Sequence, residues 1–94
     1  MKTLKAHMKI HIMYIEKIIL PKNLKVIGSK AFAHCTGIKE MTIPSTIEDV
    51  GLEVFSMWKS TQTLNIQLSQ SEASKIFTDY VLKYCWATIN YLPE

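Results

Sequence analysis

The sequence predicts an α/β repeat fold: a short solenoid with parallel strands stacked on its concave face, short helices or turns on the other side, and a longer helix near the C-terminus. Three observations predict it. "LPKNLKVIGSKAFAHC" (residues 20–35) is echoed by "IPSTIEDVGLEVFSMW" (residues 43–58), with proline, glycine and phenylalanine in the same places. The echo keeps one period, 44 − 21 = 23 residues, a length typical of units that bury a face only against their neighbours. After the second unit the pattern changes to an apolar stripe with helical spacing.

The whole chain, residues 1–94, reads as one domain. Residues 1–14 form an N-terminal edge segment, where Ile10, Ile12 and Tyr14 alternate with polar or long residues as in an edge strand. Residues 15–37 are the first repeat and residues 38–60 the second. Ile15 falls on Ile38, Pro21 on Pro44, Gly28 on Gly51 and Phe32 on Phe55. Ile18 with Met41, Leu20 with Ile43, Leu24 with Ile47, Ile27 with Val50 and Ala31 with Val54 match in class.

Each unit has a physical reading. Ile38, Met41 and Ile43 point inward from a short strand, and Ile18 and Leu20 do the same one unit earlier. Pro21 and Pro44 end the strands because proline cannot donate to a ladder. Gly28 and Gly51 allow a turn that a side chain would obstruct. Ala31, Phe32 and Cys35, at i, i+1 and i+4, lie on one face of a short helix closing the coil.

Residues 61–94 form a degenerate repeat. Leu64 and Ile66 stand where Met41 and Ile43 stood, so a third strand is expected, but no proline or Ile-Gly follows it. Ser69 and Glu72 match a capping box. Ala73, Ile76, Phe77, Tyr80, Val81, Tyr84 and Cys85 then predict one long helix with both tyrosines in its buried stripe. "INYLPE" at the end resembles the start of a further unit.

Composition excludes several function classes. The chain is 48% hydrophobic and 20% charged, too apolar for disorder. Its net charge of +3 is spread along the chain, and all 11 of its Lys+Arg residues are lysine. Without arginine, the donor suited to bidentate phosphate or guanine recognition is missing, so no nucleic-acid partner is expected. No segment has the continuity of a membrane span, and Lys9 and His11 interrupt the N-terminal apolar run before it can serve as a signal-peptide core.

His7, His11 and His34 with Cys35 and Cys85 lack metal-ligand spacing, so no metal or cofactor is expected. Cys35 lies on an apolar face and reads as a packed thiol. His34 adjoins it, but neighbours on a helix point about 100° apart, so no catalytic pair forms and no enzyme is expected. Both cysteines are expected to stay reduced, since the layers that hold them are about 10 Å apart. Trp58 occupies an inward position; Trp86 lies just past the stripe, and Met57 aligns with outward His34. Four aligned positions carry opposite signs: Glu16 with Lys39, Lys17 with Glu40, Lys25 with Glu48, and Lys30 with Glu53.

The stretch "IILPKNLKVIGSKAFAHCTGIKEMTIPSTIEDVGLEVF" resembles the BspA-type leucine-rich repeat, with its strand, proline, aliphatic pair, Ile-Gly, Ala-Phe and Cys. The resemblance implies a leucine-rich-repeat solenoid, a non-catalytic protein-interaction module and a cell-surface or secreted setting. In such a module a protein partner reads the outward side chains of the concave sheet. These are Glu16, Lys17 and Ile19, then Lys39, Glu40 and Thr42, then Gln62, Thr63 and Asn65. The alternative is a purely structural segment that closes a longer array. Either way the terminal strands offer unpaired edges, and self-association through them is expected.

Overall fold

The computed structural model describes residues 3–4 and 15–93. Ile10, Ile12 and Tyr14, and with them His7 and His11, lie outside the described residues. The chain winds as a β-solenoid of stacked layers. Its main sheet is parallel, in the order β2 (Ile15–Ile19), β4 (Ile38–Ile43), β6 (Thr63–Ile66) and β7 (Thr88–Tyr91). A second parallel sheet joins the two-residue strands β1 (Thr3–Leu4), β3 (Val26–Ile27) and β5 (Asp49–Val50).

The register follows the sequence period. Ile18 pairs with Met41, Met41 with Leu64, and Leu64 with Ile89. Thr3 pairs with Val26 and Val26 with Asp49, so the period of the two clear units extends back to Thr3–Leu4. The inward residues of successive layers therefore stack in columns. Ile38, Met41, Ile43, Leu64 and Ile66 are fully buried, together with Leu24, Ile27, Phe32, Val54, Phe55 and Trp58. Phe32 and Phe55 stack with centroids 6.1 Å apart, and Trp58 meets Phe55 edge-on at 5.1 Å. The Trp58 indole N–H donates to the Phe32 carbonyl at 2.8 Å, so even the polar end of this side chain is paired in the core.

The third side of each layer is a run of turns, where the sequence predicts a short helix. The spacing of Ala31, Phe32 and Cys35 places them inward without one. Lys30, His34, Glu53, Met57 and Tyr84 have positive φ, between 53° and 71°, which breaks a helix every fourth residue. The N–H groups of Lys30, His34, Glu53 and Met57 donate to Leu52, Ser56, Tyr80 and Tyr84 in the next layer. Each left-handed residue costs about 1–2 kcal/mol, and these interlayer hydrogen bonds offset that cost. A helix would spend the same groups within the layer.

The long C-terminal helix is corrected for the same reason. Ser69 does cap a helix, and its capping box with Glu72 is present, but α1 runs only from Gln70 to Ile76. Beyond it the carbonyls of Tyr80 and Tyr84 accept from Glu53 and Met57, at 3.1 and 2.7 Å, and Trp86 N–H donates to Trp58 O at 3.0 Å. The chain is thus laddered to the second layer. Ala73, Phe77 and Val81 are buried, but Tyr80 is 70% and Tyr84 50% exposed, against the prediction for both. The array does not end at α1, because β7 follows and pairs with β6.

Candidate interaction surface

The strands that build the core also display a polar face. Lys17, Glu40, Thr63 and Thr88 form one column across the main sheet, and Ile19, Thr42, Asn65 and Asn90 form a second. Each column exists because the stacking period brings the same strand position into register on every layer. Glu16, Lys17, Ile19 and Lys39 are exposed, whereas Glu40, Thr42 and Thr63 are half-buried. Ile19 stands out as an apolar side chain at 66% exposure.

Side-chain bonds tie the layers across this face. Asn65 Nδ2 donates to Glu40 Oε2 at 2.6 Å, and Asn90 Nδ2 donates to Asn65 Oδ1 at 3.0 Å. Asn65 is consequently buried, although it belongs to the outward column. Lys39 lies 3.9 Å from Glu16, and on a neighbouring face Lys25 pairs with Glu48 at 3.3 Å. These are two of the four sign-reversed pairs in the sequence; all four partners are well exposed, so each is worth about 0–1 kcal/mol. Lys17 and Glu40 are in register without an ion pair, and Glu40 is engaged with Asn65 instead.

Gln62 does not belong to the surface. It is 3% exposed, and its amide works as an internal bracket. Nε2 donates to the carbonyls of Ile38 at 2.7 Å and Cys35 at 3.0 Å, while Oε1 accepts from Lys59 N–H at 2.8 Å. The outward placement by analogy with Glu16 and Lys39 fails because the backbone of the preceding layer demands these bonds. Gln62→Glu keeps the shape but loses both donors. It is expected to destabilise the fold by about 1–3 kcal/mol at neutral pH, read from urea unfolding midpoints. An unchanged midpoint would show that the bracket contributes nothing.

The sequence reading missed Thr88 and Asn90 as members of the face. They were legible only as the start of a further unit. It also missed a second exposed group on the turn side, where Tyr80, Tyr84 and Trp86 join Met57 and Leu52. Lys83 Nζ lies 5.2 Å from the Tyr84 ring centroid, a cation–π contact.

Neither thiol is set up as a nucleophile. Cys35 and Cys85 are free and half-buried, and burial pushes both above the ordinary thiol range, with a hydrogen bond from Ala87 partly opposing this at Cys85. A raised pKa leaves less thiolate at neutral pH. Alkylation is therefore expected to be slower in the native protein than in urea at the same pH, and to accelerate only as pH rises past the ordinary thiol value. Equal rates in the two states would contradict the burial. Among the described residues, no group of three His, Cys, Asp or Glu side chains is gathered to hold a metal ion, and no helix is long and apolar enough to cross a membrane.

Stacked parallel layers with a fixed register and a laddered turn side define a solenoid repeat protein. The family model described as BspA type leucine rich repeat region (6 copies) matches residues 9–91, and the chain belongs to that family. No curated protein and no solved structure matches it.

Proposed function

We propose that this chain is a non-catalytic protein-interaction module that recognises a protein partner through the outward face of its main sheet. The observation that carries this reading is the continuity of that face: two side-chain columns run in register over four strands. The exposed residues on it are Glu16, Lys17, Ile19 and Lys39, with Glu40, Thr42 and Thr63 half-buried between them. Mixed charge around one exposed isoleucine suits a polar, transient protein interface more than a small-molecule pocket. Asn65 acts there as the brace that fixes Glu40 and Asn90. Family membership supports the same class of function, and a cell-surface or secreted setting is part of this proposal.

The test compares three proteins in parallel pull-downs: wild type, Lys17→Glu/Lys39→Glu on the sheet face, and Lys22→Glu/Lys59→Glu away from it. The two variants change net charge equally. A partner retained by wild type and by the second variant but lost by the first supports the face. Identical capture by all three, or equal loss in both variants, overturns it.

A further inference from the structure

The last layer of the solenoid is built like an interior one. β7 reads Thr-Ile-Asn-Tyr and the interior strand β6 reads Thr-Leu-Asn-Ile, the same alternation of outward Thr and Asn with inward apolar residues. β2 and β4 each carry a lysine and a glutamate, but β7 carries no charge and no proline, the usual guards of an edge strand. Its inward residues Ile89 and Tyr91 are only partly buried, whereas Leu64 and Ile66 beneath them are fully buried. Tyr84 repeats the left-handed conformation of Met57, yet no layer lies beyond it among the described residues to accept its N–H as Tyr84 accepts that of Met57.

The backbone of β7 has a definite polarity. Thr88 N–H donates to Gln62 O at 2.9 Å and Leu92 N–H to Ile66 O at 2.8 Å. Alternate residues of a parallel strand face opposite neighbours, so the backbone groups of Ile89 and Tyr91 point away from β6.

We infer that β7 pairs antiparallel with β7 of a second copy, about a two-fold axis through Asn90. This goes beyond recognition by the sheet face. Setting Ile89 opposite Tyr91 of the second copy, and Tyr91 opposite its Ile89, makes two hydrogen-bonded pairs from the groups that point outward. It keeps both residues on the core side, so each shields the other's exposed apolar surface. Asn90 then falls opposite Asn90 of the second copy in a non-hydrogen-bonded pair, where side chains approach closest. The asparagine ladder that runs from Asn65 to Asn90 continues across the axis. Because β7 is uncharged, a copy with the same positive net charge meets no like charge on the edge itself.

The axis gives a specific test. Asn90 is exposed and points away from the core, so Asn90→Lys and Asn90→Asp give up the bond to Asn65 but leave the core intact. In the pair, each variant places two like charges directly opposite, which is unfavourable. Sedimentation equilibrium of the full chain over a wide concentration range is expected to show twice the monomer mass of 10.8 kDa for wild type. Each variant alone is expected to be monomeric, with a wild-type circular dichroism spectrum, and an equimolar mixture is expected to recover the dimer. A wild-type chain that stays monomeric overturns the inference. So does open-ended growth, which would mean head-to-tail stacking, or a dimer that either variant leaves unchanged. If both variants are monomeric and their mixture is also, the axis does not pass through Asn90.

Discussion

Phe55→Ala is expected to lower the unfolding free energy by about 3–5 kcal/mol, and Phe32→Ala by a similar amount. Both rings are closed off from solvent, at 0% and 1% exposure, and they stack at 6.1 Å with an angle of 9° between their planes. Phe55 also supports Trp58 edge-on at 5.1 Å. Its removal would therefore leave a cavity bordered by two aromatic side chains in different layers. Such side chains cannot collapse into the space without breaking the register of the ladder between them. A domain of this size has about 5–15 kcal/mol in total, so the melting temperature is expected to fall by roughly 15–30 °C. Thermal melts followed by circular dichroism would measure it. A mutant with the wild-type curve at either position would mean that the two phenylalanines do not form one core column, and that the repeat register is wrong.

Those two residues also explain why the first half of the fold is legible in the sequence. In the two clear units every inward position is filled by an apolar residue at the same offset, so a single alignment captures the core. The third unit hides its layer behind a change of period. Met57 N–H bonds to Tyr84 O, and on the preceding step His34 N–H bonds to Ser56 O. His34 and Met57 are 57 − 34 = 23 residues apart, while Met57 and Tyr84 are 84 − 57 = 27 apart. Counted with the longer offset, Phe77, Val81, Leu82 and Cys85 fall on Val50, Val54, Phe55 and Trp58. Tyr80 and Tyr84 fall on Glu53 and Met57, which explains their exposure.

The four extra residues are accommodated around α1. The spacing of Ala73, Phe77, Val81 and Cys85 serves a helix and a solenoid turn equally well. Interlayer hydrogen bonds decide between them, and no residue pattern reports those. The candidate surface divides along the same line. Lys17, Glu40 and Thr63 follow from strand alternation alone. The burial of Gln62 and the bracing role of Asn65 come from backbone and side-chain acceptors in the preceding layer. Sequence periodicity places residues in columns, but it does not show which polar groups the adjacent layer will claim.

Gly51→Ala is expected to destabilise the protein by about 3 kcal/mol, the upper end of the usual overpacking range. Gly51 does not have positive φ; among the described residues the left-handed positions are occupied by Lys30, His34, Glu53, Met57 and Tyr84. Its role is close approach. A Cβ at Gly51 would clash with the Ser29 amide nitrogen and lie 2.5 Å from Ser29 Cα and 2.6 Å from its Oγ. Two of these three atoms are backbone and cannot rotate away. The surrounding chain is also held, since Gly51 N–H donates to Ile27 O at 2.8 Å and Lys30 N–H to Leu52 O at 3.1 Å. Accommodating one methyl group would require the first two layers to part at this corner. The sign is informative, because at an unstrained, open site Gly→Ala stabilises by about 0.4–1 kcal/mol through the unfolded chain. Adding Ser29→Gly removes the hydroxyl contact and leaves the backbone in place, so Ser29→Gly/Gly51→Ala is expected to remain destabilised. Urea unfolding of the single and double variants would measure both effects. A Gly51→Ala midpoint at or above wild type would show that the layers are not in van der Waals contact at this corner. Full recovery in the double variant would place the clash on the serine side chain and leave the corner free to relax.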